Sequence, residues 1–177
     1  GNIETITYPE DQNNMPLINT YGYDNVVHQY VTSIDDNFGF SSTSDYDERY
    51  GMLLSSVDIT GNEMVYTLDN FGRILNIKGP KDPNYTIQCS YADYTNLSDK
   101  AWAVTGHFDV LRPNDPIETV TLVNGLGEKV QVKKDILFYD NGSTTPGMSA
   151  EGIATKDEYG RSIEQFHPTF DPIGGTT

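Results

Sequence analysis

The sequence predicts an all-β chain, an array of antiparallel β-hairpins. Apolar residues recur at spacing two, the period of a strand, and never hold the helical period long enough for a helix. Twelve tyrosines against one tryptophan, with 16 glycines and 9 prolines, describe many short strands and tight turns. Between the apolar runs a short motif recurs, Asp or Asn with Gly three residues on.

The clearest hairpin is Glu63 to Gly79. Val65 and Thr67 fall on one face of its first run, and Met64, Tyr66 and Leu68 on the other. Ile74-Leu75-Asn76-Ile77 returns. The joint, Asp69-Asn70-Phe71-Gly72-Arg73, has the form of a type I turn closed by a left-handed glycine. Asp accepts a hydrogen bond from the backbone two residues on, and Gly takes positive φ without a Cβ penalty.

Residues 1 to 16 read as a polar lead-in or an edge strand, and 17 to 177 as the hairpin array. Asn19-x-Tyr21-Gly22 is a weaker copy of the turn, with Tyr23-Asp24 lengthening the loop and Val26-Val27 opening the return strand. Asp36-Asn37-Phe38-Gly39 and Asp58-Ile59-Thr60-Gly61 are further copies, and Tyr50-Gly51 marks a turn between them. Ser41 to Asp47 reads as a polar segment. Gly79 to Asn84 is a breaker. Tyr85 to Tyr91 and Ala101 to Asp109 read as strands, the second with Trp102 and Val104 on one face. Ala92 to Lys100 is polar, and Arg112 to Pro116 is a loop. Ile117 to Val123 alternates almost perfectly, turns at Asn124-Gly125-Leu126-Gly127-Glu128, and returns through Lys129 to Asp135. Tyr139 to Met148 reads as an exposed Gly/Ser/Thr/Pro loop. The last copy is Asp157-Glu158-Tyr159-Gly160-Arg161, returning through Ser162 to Phe166. From Pro168 the tail reads as irregular.

The residues singled out as structural are Asp69, Gly72, Arg73, Asn124, Gly127, Asp157, Gly160 and Arg161. Each Arg is placed to lie over a neighbouring aromatic ring or to pair with its turn Asp. The copies are unevenly spaced, so the chain reads as hairpins with insertions rather than a strict solenoid. A lone hairpin is unstable, so neighbours must pair edge to edge.

This pattern resembles the YD repeats of Rhs-family proteins. Leu68-Asp69-Asn70-Phe71-Gly72-Arg73-Ile74 and Lys156 to Ile163 match best, with Leu68 and Lys156 where the family has Tyr. A longer stretch, Ala101-Trp102-Ala103-Val104-Thr105-Gly106-His107-Phe108-Asp109 with Glu118 to Gly127 and Gln131 to Asp135, is similar to the middle-to-C-terminal region of the B component of insecticidal Tc toxin complexes. Asp45 to Pro80 is also similar to that region, and the likeness runs from about Thr20 to Pro172. The resemblance implies an extended curved sheet, a fragment of a shell wall. Such a shell encloses a toxic C-terminal polypeptide, and its repeats are not catalytic. It also implies a bacterial protein, secreted or at the cell surface. No self-cleavage motif of the family is found, and no catalytic residue is carried over. The implied partners are the remainder of its own shell or a companion chain, with exposed strand edges also suited to a homodimer.

Composition bounds the alternatives. The formal net charge is −15 and the pI near 4.3, which argues against nucleic acid, whose phosphates need a basic footprint. The mean hydropathy of −0.51 and the lack of a long apolar run argue against a membrane span. Gly1 to Gln12 has no basic start or apolar run of a secretory leader. Cys89 is the one cysteine, read as a small buried hydrophobe. His28, His107 and His167 are dispersed, without zinc-ligand spacing. The acidic clusters Asp35-Asp36-Asn37 and Asp45 to Glu48 fall in expected loops, where calcium binding competes with plain solvation. No cofactor is expected. Tyr21, Tyr23, Tyr30, Tyr46 and Tyr50 form either a binding platform for carbohydrate or protein, or cross-strand packing. A hydrolase built on paired carboxylates is the third reading. Asn84-Tyr85-Thr86, Asn96-Leu97-Ser98 and Asn141-Gly142-Ser143 are formal glycosylation acceptors.

Overall fold

The computed structural model describes residues 1–92 and 101–171. Among them there is no helix, and the chain divides into two compact units, Gly1–Thr86 and Ile87–Thr177. Asn96-Leu97-Ser98 lies outside the described residues.

The first unit is a meander of antiparallel strands: β1 (Thr5–Glu10), β2 (Pro16–Tyr23), β3 (Val31–Asp36), β4 (Ser41–Asp47), β5 (Met52–Val57), β6 (Glu63–Leu68) and β7 (Ile74–Lys78). Within the unit each strand pairs with its neighbours in sequence. Four ladders of the unit carry a bulge or irregularity, where register slips locally. None of the unit's large hydrophobics is fully buried; its strand residues are half-covered or exposed. Cross-strand pairs and turn hydrogen bonds must therefore supply what a core would supply elsewhere.

The second unit opens with β8 (Ile87–Ala92), β9 (Ala101–His107), β10 (Ile117–Val123), β11 (Lys129–Asp140) and β12 (Ser143–Glu151). These also pair in sequence order. The chain then forms a separate small hairpin, β13 (Ala154–Lys156) with β14 (Ser162–Gln165), before β15 (Thr169–Asp171) returns to pair with β12. Val120, Leu122 and Met148 form the buried cluster, flanked by Trp102, Val104 and Val130. Trp102 lies opposite Leu122, and Val104 opposite Val120, so the alternation read in β9 and β10 converges on one face.

That face also holds Lys133, which lies between Val120 and Ala150 and is 1% exposed. Its Nζ is 2.5 Å from Asp171 Oδ2 on β15. A buried ammonium requires a carboxylate beside it, and here the partner comes from the shortest edge strand of the sheet.

The structure corrects several expectations. Ser41 to Asp47 is not a polar connector but β4, and its Ser/Thr/Asp alternation suits a sheet with both faces partly wet. Asp45 and Asp47 are therefore strand residues, as are Asp35 and Asp36 at the end of β3. Tyr139 to Met148 is not an exposed loop. β11 and β12 run through it around a two-residue turn at Asn141-Gly142, where both residues have positive φ, and Met148 is fully buried. Asn19 to Gly22 is no turn but the interior of β2, and Val26-Val27 lie in the loop that follows, with β3 starting only at Val31. The tail past Pro168 contains β15. Cys89 is a half-buried free thiol rather than a core residue.

Candidate functional site

Six of the turns share one hydrogen-bond plan, headed by Asp11, Asp36, Asp58, Asp69, Asn124 and Asp157. In each, the head amide donates to the carbonyl four residues on, and the amide three residues on donates back to the head carbonyl. The head's Oδ1 accepts from the amides two and four residues on. The residue three on has positive φ: Gly39, Gly61, Gly72, Gly127 and Gly160, and at the first turn Asn14 with φ 59°. One side-chain oxygen thus satisfies two amides that a tight bend would otherwise strand.

The second oxygen of the head is used as well. Asp69 Oδ2 accepts from Arg73 Nε at 2.6 Å, and Asp157 Oδ2 from Arg161 Nε at 2.6 Å. The same guanidinium groups lie 5.2 Å from the rings of Phe71 and Tyr159. Asp58 uses Asn62 Nδ2 in place of Arg, at 3.0 Å. Where the head is an amide, the polarity inverts: Asn124 Nδ2 donates to Glu128 Oε2 at 2.9 Å, and Lys156 Nζ reaches the same oxygen at 3.1 Å. In the turns headed by Asp58, Asp69, Asn124 and Asp157 the fifth position is therefore matched chemically to the first, whereas Met15 and Phe40 hold that place after Asp11 and Asp36.

The carboxylates carry the imprint of this plan. Asparagine and threonine side chains at Asn62 and Thr60 hold Asp58 below the usual carboxylate range. The Arg161 amide, against some desolvation, lowers Asp157. Burial opposes ionisation of Asp69, but the Arg73 amide and guanidinium outweigh it. Asp24 is the extreme case, and it heads a longer loop that the sequence hid. It is 8% exposed, and its two oxygens accept from the amides of Val26, Val27, His28, Gln29 and Tyr30. Burial raises its pKa, and those amides more than reverse the shift.

In the first unit, turns at one end of the strands also interlock. Tyr30 stacks on Tyr46 at 5.1 Å, and a Cβ at Gly51 would meet its hydroxyl. Tyr50 lies over Gly72 and donates to the Asn70 carbonyl, while Arg49 lies 4.2 Å above the Tyr50 ring. Tyr23 donates to the Ile3 carbonyl at 2.8 Å. Tyr23, Tyr30, Tyr46 and Tyr50 are thus occupied in packing.

For a hydrolase, the relevant carboxylates are in the second unit. Asp135 Oδ2 accepts from the Glu118 amide at 2.8 Å, and Arg112 bridges Asp109 and Asp115. Burial first, and then Asp135 and Asp115, raise the Glu118 pKa. Asp115 and Asp135 border a groove of about 210 Å³ with Arg112, Ile117, Ile136 and Leu137. Among the described residues no group of three His, Cys, Asp or Glu side chains is placed to hold a metal ion.

The array matches solved structures. It shares its fold with TcdB2-TccC3. A crystal structure of TcdB2-TccC3 is 18% identical, has a TM-score of 0.61, and matches 88% of this chain but 10% of its own. Crystal structures of TcdB2-TccC3-TEV and TcdB2-TccC3-Cdc42 match at 15% identity and a TM-score of 0.62, each over 12% of its length. No family model matches the sequence, and a search of curated proteins finds no match. The chain spans about a tenth of the length of the TcdB2-TccC3 chains, and at this identity the likeness is one of fold. The Tc-toxin resemblance read in Ala101 to Asp135 thus holds as architecture.

Proposed function

We propose that the chain is a strip of β-wall from an Rhs- or Tc-toxin-like bacterial protein, a non-catalytic scaffold that helps enclose a toxic polypeptide. The carrying observation is how its polar residues are used. Asp11, Asp24, Asp36, Asp58, Asp69 and Asp157 each close a turn, so these six carboxylates are committed to backbone amides rather than to a reacting centre. The partner is then the rest of its own wall or a companion chain, and the protein acts outside the cell or on its surface. The test is protease protection in the natural polypeptide that contains this array. A cargo segment inside the wall resists digestion until the wall is opened, whereas digestion at the same rate with the wall intact would sink the proposal.

A second reading, a domain that binds carbohydrate or protein, draws on exposed rings at the turn tips, among them Phe38, Phe71 and Tyr159. Glycan binding lost on replacing these rings with Ser would favour it. For the hydrolase reading, Glu118→Gln should leave any activity of the parent protein unchanged.

A further inference from the structure

The β11–β12 hairpin outruns the strand beside it. β10 pairs with β11 only through Lys129–Lys134, whereas β12 follows β11 to Asp140. At the end of the shared ladder the Glu118 amide turns to the Asp135 carboxylate, and the chain before Ile117 bends away through the Arg112–Asp115 turn. Among the described residues, no strand pairs with Ile136–Asp140 on the β10 side. That edge presents backbone donors and acceptors, and it is not blunted by lysine or proline, the usual guards of an open edge.

The side chains around this edge are apolar and exposed. Leu137 is 67% exposed and Tyr139 70%. The groove lies directly beside the edge, with Ile117 and Ile136 in its walls and Asp115 and Asp135 at its rim. Arg112 is already held by Asp109 and Asp115, so it offsets charge without offering a free cation. Burial first, and then the nearby Asp135 and Asp115, raise the pKa of Glu118.

We propose that the free edge of β11 takes an extended segment of a partner polypeptide as an added strand, one carrying a Lys or Arg flanked by aliphatic residues. The backbone ladder supplies affinity, Leu137 and the groove walls receive aliphatic side chains, and Asp115 and Asp135 select the cation. A second copy of this chain is the wrong occupant, because it has a net charge of −15 and would bring a second acidic groove to the first. The surface goes beyond the wall reading and does not depend on it.

The probe is a short labelled peptide of alternating valine and threonine with one central lysine, titrated against the 177-residue protein by fluorescence anisotropy. Controls are the same peptide with central glutamate, and with alternate backbone nitrogens methylated. The lysine peptide should bind at least about tenfold tighter than the glutamate peptide, and methylation of the paired amides should abolish binding. Leu137→Asp should weaken binding with an unchanged melting temperature, since the side chain is already in solvent. Asp115→Asn should narrow the gap between the lysine and glutamate peptides. No binding, equal binding of the two peptides, insensitivity to methylation, or self-association of the protein that Leu137→Asp abolishes would each overturn the proposal.

Discussion

At Gly72 a φ of 81° and the ring of Tyr50 meet at one Cα. An added methyl would stand 2.5 Å from the ring, whereas at Gly127, with φ 76°, nothing lies within 4 Å. The two sites therefore separate conformational from steric cost. Gly127→Ala should cost about 1–2 kcal/mol, the left-handed penalty alone. Gly72→Ala should cost about 1–3 kcal/mol more from overpacking, and Tyr50→Ala in the same chain should remove that excess. Chemical denaturation of the singles and the double checks both numbers. Acid should act on the head carboxylates with a definite sign. Asp24, Asp58, Asp69 and Asp157 have lowered pKa values in the folded state, so their contribution is present above the unfolded carboxylate range, about pH 4. It is lost as pH falls toward the folded values. Asp24→Asn should lower the melting temperature at pH 7 and flatten this acid limb. Glu118 works the other way: its raised pKa disfavours the folded state at neutral pH, so Glu118→Gln should raise the melting temperature at pH 7 but not at pH 3.

Elements differ in how openly the sequence declares them. The turns at Asp69, Asn124 and Asp157 can be read directly because Gly sits at a fixed offset from the head. The Asp11 turn escaped that reading because Asn14 supplies the left-handed residue. Asp24 escaped because its loop is longer and its partners are backbone amides, which no side-chain pattern announces. β4 and the tip of β11–β12 read as loops because hydrophobicity marks strands only where one face is buried, and here both faces touch water. Lys133 gave no signal at all: its burial depends on β15, a strand of three residues far along the chain. That pair makes a prediction at the element scale. Asp171→Ala should cost about 3 kcal/mol by leaving the ammonium without this carboxylate, and should speed amide exchange in Ser149 and Ala150, which face β15. Lys133→Met should be neutral or stabilising, because an apolar chain of similar volume removes the desolvation cost.

Taken whole, the chain has a net charge of −15 and a buried hydrophobic cluster confined to the second unit. Self-repulsion at this charge should make the melting temperature climb with added sodium chloride, most steeply below physiological ionic strength, and a scan across salt concentration checks it. The Asp69–Arg73 contact adds little to this dependence, since it closes over four residues and both partners are partly out of solvent.

Strands β1 to β7 pair only with those beside them in the chain, and the bends headed by Asp11, Asp36, Asp58 and Asp69 each carry their own polar closure. A genetic duplication that adds one strand–turn–strand unit would therefore find its hydrogen bonds already provided, and a deletion of one would orphan few others. Such a sheet can lengthen by copying and shorten by loss, with the seat of Tyr30 at Gly51 and of Tyr50 at Gly72, each two bends further on, setting the natural length of a copy at two strands.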